Sequence, residues 1–230
     1  MKRPRLLLAD DHRIIMEGLK NLLEPEFELV GMVEDGRALL EAAERLRPDV
    51  VIADISMPLL NGIEAVRQLT KSRKELKVVI LTMHADPVYA AAAIDAGASG
   101  YVLKHAAATE LITAVRSVLQ GKSYLTPLIA EELLRHYQEP GSQMRDESRL
   151  TPRQREVLQL LAEGHSPKEI ATTLNISCKT VEFHKYKMME ELGIKSTAEL
   201  VRFAVIGNPI RRQCKPESGW LPWIVFTRPE

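Results

Sequence analysis

Two adjacent aspartates, Asp10 and Asp11, follow the short apolar run RLLLA (Arg5–Ala9), and a third, Asp54, follows DVVIA (Asp49–Ala53). Thr82 ends the run that begins KVVIL (Lys77–Leu81), and Lys104 follows GYVL (Gly100–Leu103). Carboxylates crowded together repel, and such a cluster is stable only when a cation is shared or a proton retained. An all-oxygen donor set favours a hard ion, most naturally Mg²⁺, which keeps several waters and takes one or two carboxylates. A carboxylate nucleophile beside a divalent cation, a hydroxyl and an ammonium is equipment for holding a phosphoryl group. The aspartate accepts it covalently, and the cationic groups neutralise charge on the transferring oxygens. A lone Asp after a strand serves as a cap and one Asp-Asp pair as a solvated turn. Five polar residues gathered at the ends of four strands favour the chemical reading.

These groups meet only if the runs are strands of one sheet. RLLLA, FELVGMV (Phe27–Val33), DVVIA, KVVIL and GYVL are short and apolar throughout, the pattern of strands buried on both faces of a parallel sheet. Between them lie helical spacings: Ile15, Leu19, Leu22 and Leu23, then Leu111, Ile112, Val115, Val118 and Leu119. Five β–α units with right-handed crossovers predict an open, doubly wound α/β sheet with its site at the carboxyl ends of the strands. In that topology the first and third strands are neighbours, which brings Asp10, Asp11 and Asp54 together.

Composition fits two soluble domains: 230 residues, 45% hydrophobic, 27% charged and a formal net charge of zero. No apolar run approaches the ~20 residues of a membrane-spanning helix, and the N-terminal apolar stretch, cut by Asp10 and Asp11, is too short for a signal peptide. Two cysteines, Cys178 and Cys214, make neither a disulfide framework nor a four-cysteine zinc site, so a reducing, cytoplasmic setting is expected. From Thr151 onward there are 12 Lys and Arg against 9 Asp and Glu, an excess that gains meaning only from the motifs there.

After Gly121 and the turn Tyr124–Pro127 comes one more helix, Leu128–Tyr137, and then a polar linker, EPGSQMRDES (Glu139–Ser148). The second half is helical with legible caps. Thr151 with Gln154, Ser166 with Glu169 and Ser196 with Glu199 match the capping box. Gly164 and Gly193 stand where helices stop, and Ser177 caps a helix running to Leu192. Four short helices with a tight turn between the second and third make a helix-turn-helix. On the third, Val181, Met188 and Leu192 suit a core. Lys179, Glu182, Phe183 and Tyr186 form a second stripe, flanked by Lys185 and Lys187, suited to phosphates and base edges of the major groove.

Residues Arg5 to about Gln120, through LLLADDH, VVIADISMPLLNGIEA, VVILTMHA and GASGYVLKH, resemble a bacterial response-regulator receiver domain of CheY-like fold, with strand order 2-1-3-4-5. That resemblance implies Asp54 as phospho-acceptor. It implies Mg²⁺ bound by Asp11, Asp54 and the backbone carbonyl of Ser56, with Asp10 assisting, and Lys104 on the phosphoryl oxygens. Thr82 and Tyr101 become a switch pair, the hydroxyl moving to the phosphate and the ring following inward, while Pro58 and Gly62 shape the loop after Asp54. One departure stands out: His105 follows Lys104 where many receivers carry proline.

LTPRQREVLQLLAEGHSPKEIATTLNISCKTVEFHKYKMMEELGIKSTAEL resembles the LuxR-type DNA-binding domain of the NarL/FixJ class. By that resemblance Glu182, Phe183 and Tyr186 face the groove. Lys179, Thr180, His184, Lys185 and Lys187 contact the backbone or flanks, and the last helix, Ser196–Ile206, mediates dimerisation. The expected division is a receiver over 1–122, a helix and linker over 123–149, a DNA-binding domain over 150–207 and a tryptophan-containing tail over 208–230. The implied factor is not an enzyme. A sensor histidine kinase phosphorylates it, it binds double-stranded promoter DNA as a homodimer, and RNA polymerase is a further partner. Two other readings share the residues: a regulator controlled by protein contacts without phosphorylation, and an aspartate-nucleophile phosphatase. The phosphatase is disfavoured by adjacent rather than spaced acids and by the attached DNA-binding domain.

Overall fold

Residues 3–138 and 150–206 are described in a computed structural model of the chain. Strands β1 (Arg5–Ala9), β2 (Glu28–Val33), β3 (Val50–Ala53), β4 (Lys77–Thr82) and β5 (Gly100–Leu103) alternate with helices α1 (Arg13–Leu23), α2 (Gly36–Leu46), α3 (Gly62–Ser72), α4 (Pro87–Asp95) and α5 (Ala107–Leu119). The sheet is parallel with the expected order, β2-β1-β3-β4-β5, and β1 pairs with β3 along Leu6–Ala9 and Val50–Ala53. Successive side chains go to opposite layers. Leu7, Val51, Val78, Ile80 and Tyr101 pack in one apolar layer, and Leu6, Leu8, Val50, Ile52, Val79 and Val102 pack in the other, against α1 and α5. Burial on both faces is why the strands read as continuous apolar runs rather than alternating ones.

The sheet has one strand more than expected. β6 (Tyr124–Leu125) runs parallel beside β5, with the Tyr124 N–H donating to the Ser99 carbonyl at 3.1 Å and the Thr126 N–H to the Tyr101 carbonyl at 3.0 Å. The Thr126 hydroxyl accepts from the Leu103 N–H and donates to Glu110 of α5 at 2.8 Å. A two-residue strand carries no apolar run, so the stretch reads as a turn in sequence, yet it covers the otherwise bare edge of β5. Helix α6 (Pro127–Gln138) follows, lying against α4 and burying Ile129 in the first apolar layer.

The second domain comprises α7 (Pro152–Ala162), α8 (Pro167–Leu174), α9 (Cys178–Glu191) and α10 (Thr197–Ile206). The Thr151 and Ser166 capping boxes are complete in both directions. At α10 the Glu199 N–H donates to the Ser196 hydroxyl, but the Glu199 carboxylate accepts from Lys195 N–H instead of closing the box. Gly164 and Gly193 take the left-handed conformation at φ +90° and +67°, as their positions after helices require. Val181, Met188, Leu174, Leu160 and Leu200 centre a separate core, and Leu59 from the loop between β3 and α3 packs against it. The linker over 139–149 and the tail from 207 onward, with Cys214 and both tryptophans, lie outside the described residues.

That β3–α3 loop turns tightly. The Gly62 N–H donates to the Ile55 carbonyl at 2.9 Å, and a Cβ on Gly62 would stand 2.0 Å from the Asp54 carbonyl oxygen. Any side chain there must push the main chain of Asp54 aside. Gly62→Ala is therefore expected to lower stability by about 1–3 kcal/mol. Gly18→Ala, in α1 with no atom within 4 Å of the new methyl, is expected to raise it by roughly 0.5–1 kcal/mol. Urea unfolding of both variants checks this; a Gly62 variant as stable as wild type would mean that the loop does not need the close approach.

Candidate functional site

Asp10 and Asp54 are held by an extension of the sheet ladder past the strand ends. The Asp10 N–H donates to the Val33 carbonyl at 3.1 Å, and the Asp54 N–H to the Ala9 carbonyl at 2.9 Å. Both carboxylates are buried, at 3% and 4% exposure. Lys104, delivered by the end of β5, puts its ammonium 2.7 Å from Asp10 Oδ2 and 2.9 Å from Asp54 Oδ2. The other Asp54 oxygen accepts the Ile55 N–H at 2.7 Å. Burial works to lower the Lys104 pKa, but Asp54 and Asp10 outweigh it and the net direction is up. The ammonium therefore stays charged across the neutral range.

Asp11 is more exposed, and the His12 Nδ1 stands 2.8 Å from its Oδ1 and 3.0 Å from Asp10 Oδ1. One ligand atom from each of Asp10, Asp11, His12 and Asp54 falls within 4.8 Å of all the others. Three carboxylates against one ammonium leave an excess of negative charge, with Asp11 exposed at the rim. That donor set fits a hard divalent cation such as Mg²⁺.

Thr82 is fully buried at the end of β4, and its hydroxyl accepts the His84 N–H at 3.3 Å. Tyr101 is also fully buried, with its hydroxyl donating to the His84 carbonyl at 2.8 Å. Burial, then Tyr89, Asp86 and Asp54, push the phenol pKa upward, so it remains a donor. In this state the ring already lies inside, and the inward travel expected of it has no distance left to run. Ser56 is half-buried in the β3–α3 loop, sharing a hydrogen bond of 2.9 Å between its hydroxyl and His84 Nε2.

His84 was not among the expected site residues, although it connects four of this region's groups. Its ring stacks on Tyr89 with centroids 4.3 Å apart, and burial pushes its pKa down while Asp54 opposes. A single histidine after a strand carries no spacing signal, which is why sequence reasoning passed over it, and over His12. His105 is exposed within the 3₁₀ turn Lys104–Ala106, and no cis peptide occurs among the described residues.

On α9 the Ser177 hydroxyl accepts the Thr180 N–H at 3.1 Å, and Val181 and Met188 point into the core as expected. Phe183 and Tyr186 are 60% and 62% exposed. The apolar stripe is thus a surface, not part of the core. Lys179 projects to solvent, and half of the Lys187 side chain is exposed, 3.9 Å from Glu191. Lys185 is held within the helix, paired with the Glu182 carboxylate and lying 4.9 Å above the Tyr186 ring. His184 is half-buried against Phe183, and its pKa is lowered by burial and then by Arg153 and Lys187. Cys178, the first residue of α9, is free and exposed.

Known proteins share this organisation. Residues 6–116 match the response regulator receiver domain family and residues 148–204 the bacterial regulatory proteins of the luxR family. The transcriptional regulatory protein DegU of Brevibacillus brevis is 36% identical over 214 residues, covering 86% of this chain and 91% of its own length. The transcriptional regulatory protein MctR of Rhizobium johnstonii is 36% identical over 203 residues, covering 87% and 92%. Among solved structures, RcsB of Salmonella enterica serovar Typhimurium, bound to a promoter with a phosphomimetic beryllofluoride, is 31% identical. That match covers 88% of this chain and 98% of RcsB with a TM-score of 0.56. A receiver-type sheet with its acidic cluster, joined to a LuxR-type helix-turn-helix and related to transcriptional regulators along most of its length, places this chain among the two-component response regulators of the NarL/FixJ class, to which it belongs.

Proposed function

We propose that, in the cytoplasm, Asp54 accepts a phosphoryl group from a sensor histidine kinase, and that this switches dimerisation and promoter binding. The observation that carries the reading is Lys104 lodged between Asp10 and Asp54 at the carboxyl edge of the sheet. One Asp54 carboxylate oxygen forms the new P–O bond as the bond from phosphorus to the donor breaks, and the donor leaves with the electron pair. Asp10, Asp11, Asp54 and the Ser56 carbonyl are the groups to hold Mg²⁺. The chemistry that ion supplies when bound is neutralisation of the transferring oxygens. Lys104 then releases Asp54 Oδ2 and pairs with a phosphoryl oxygen. Thr82 turns its hydroxyl from the His84 N–H toward the phosphate. Tyr101, hydrogen-bonded to the carbonyl of that same His84, fixes the β4–α4 loop in the conformation the phosphate selects.

The output is read on α9. Phe183, Tyr186 and Glu182 face base edges, while Lys179, Thr180, His184, Lys185 and Lys187 serve the phosphate backbone and flanks. A second copy binds through α10, and RNA polymerase is met at the promoter.

Acetyl phosphate with Mg²⁺ is expected to add one phosphate to the wild-type chain and none to Asp54→Ala, by intact mass; equal labelling of the two would remove Asp54 from its role. For DNA, Lys187→Ala is expected to weaken specific and random duplexes alike and lower the salt slope by roughly one. Tyr186→Ala and Phe183→Ala, both with exposed rings, are expected to fold normally and alter base preference by about 1–3 kcal/mol at a lost contact. Selection of binding sites from a random pool at fixed salt separates the two effects, and an unchanged preferred site in the aromatic variants would mean that this stripe does not read bases.

A further inference from the structure

The face of α9 proposed to meet DNA carries a carboxylate beside its two aromatic rings. Glu182 shares that face with Phe183 and Tyr186, whose rings are 60% and 62% exposed. It also borders a hollow between the starts of α8 and α9, lined by Ser166, Pro167, Lys168, Cys178 and Lys179. Contact with the sheet domain runs through α7 and leaves this face open. There Gln159 accepts the Asn61 N–H at 2.8 Å and donates to the Met57 carbonyl at 3.2 Å, while Glu156 pairs with Arg37 and Arg155 with Glu64.

A carboxylate beside DNA phosphates is repelled unless a cation offsets its charge. Lys185 is that cation. Its ammonium pairs with Glu182 Oε2 and lies 4.9 Å from the centroid of the Tyr186 ring. Only 13% of the Lys185 side chain is exposed, against 36% of Glu182. The lysine is thus fixed along the helix between an anion and a ring face, and the carboxylate remains accessible. Among the described residues that carboxylate has no other partner, so its remaining lone pairs are available to a base. Paired or not, an ionised carboxylate accepts hydrogen bonds and donates none.

That one-sidedness has a definite complement in the major groove. Guanine shows two acceptors there, and thymine an acceptor and a methyl group, so neither offers a donor. The adenine amine stands between two acceptors, its own N7 and the O4 of the paired thymine. The cytosine amine has an acceptor on one side only, the O6 of its paired guanine. Cytosine is therefore the base edge that an acceptor-only side chain fits best. The neighbouring Phe183 is apolar, and its complement in the groove is the thymine methyl. Consecutive Cα atoms are about 3.8 Å apart and stacked base pairs about 3.4 Å, so the two side chains fall on the same or adjoining base pairs.

Resting on the proposed reading of bases by α9, we infer that Glu182 selects a cytosine in the operator, with a thymine adjoining it under Phe183. Glu182 accepts from the cytosine N4 amine and discriminates against guanine and thymine at that position, while Lys185 offsets the charge that phosphates would otherwise repel.

The test selects binding sites from a random duplex pool at fixed salt, with full-length wild type, Glu182→Gln and Glu182→Ala. Circular dichroism confirms that the variants keep wild-type helicity. The wild-type consensus is expected to contain a cytosine that becomes adenine with Glu182→Gln, because an amide matches N6 and N7 together, and that is unconstrained with Glu182→Ala. A duplex of the wild-type consensus is then made with 2-pyrimidinone, which lacks the amine, in place of that cytosine. Wild type is expected to bind it roughly 5- to 100-fold more weakly, and Glu182→Ala to bind both duplexes equally. The wild-type comparison needs no variant to fold. A base other than cytosine at the position the variants relax would overturn the inference. So would a cytosine that persists in both variants, or equal wild-type affinity for the two duplexes. A wild type that selects no sequence at all would instead overturn base reading by α9, and this inference with it.

Discussion

A single ammonium holding two buried carboxylates together is the constraint around which the receiver domain is arranged. Asp10 and Asp54 are brought within reach of each other by the pairing of β1 with β3, and neither has solvent enough to carry its charge alone. Lys104 can serve both only because β5 ends at the same edge, two strands from β3. Loss of one partner from such a buried set costs about 3–5 kcal/mol, so the resting site is stable and still short of positive charge. Under the phosphorylation proposed for Asp54, Lys104 would gain a new anionic partner, and a hard divalent cation held by the carboxylates would supply the missing positive charge. The same electrostatics that holds this edge together suits it to the reaction proposed for Asp54.

Transmission from that edge follows connected atoms. His84 links the Ser56 hydroxyl, the Thr82 hydroxyl and the Tyr101 phenol. The main chain of Tyr101 in turn bonds to Thr126 at the start of α6. On the other side of Asp54, the β3–α3 loop passes directly into the contact with α7. Asp54 thus has one connected route into the helix leading to the linker and another into the DNA-binding domain itself.

What the sequence discloses here follows from how strongly each feature marks its residues. Strands buried on both faces must be apolar throughout, so β1, β3, β4 and β5 are evident, as are Asp10, Asp54, Thr82 and Lys104 at their ends. Helix caps are equally plain because Thr151, Ser166 and Ser177 sit where an N–H needs an acceptor. β6 leaves no trace, since two residues show no period. The contact between domains is hidden for a different reason. Gln159, Glu156 and Arg155 are polar residues on a helix, and polarity alone does not distinguish a face turned to water from one paired with complementary charges on another domain. Periodicity alone suits the Phe183 and Tyr186 stripe to a core as well as to a contact, but Val181 and Met188 already fill the core side, and the two rings lie exposed.

The central claim is that the state of one carboxylate at the sheet edge governs the affinity of a helix in another domain. Its most direct measurement is the equilibrium affinity of the full-length chain for a selected duplex at fixed salt, with and without beryllofluoride and Mg²⁺, for wild type and Asp54→Asn. The account predicts that beryllofluoride tightens wild-type binding at least 5-fold, within the usual range of allosteric coupling, and leaves the variant unchanged. Equal affinities for wild type in the two conditions, or an identical gain in the variant, would contradict it.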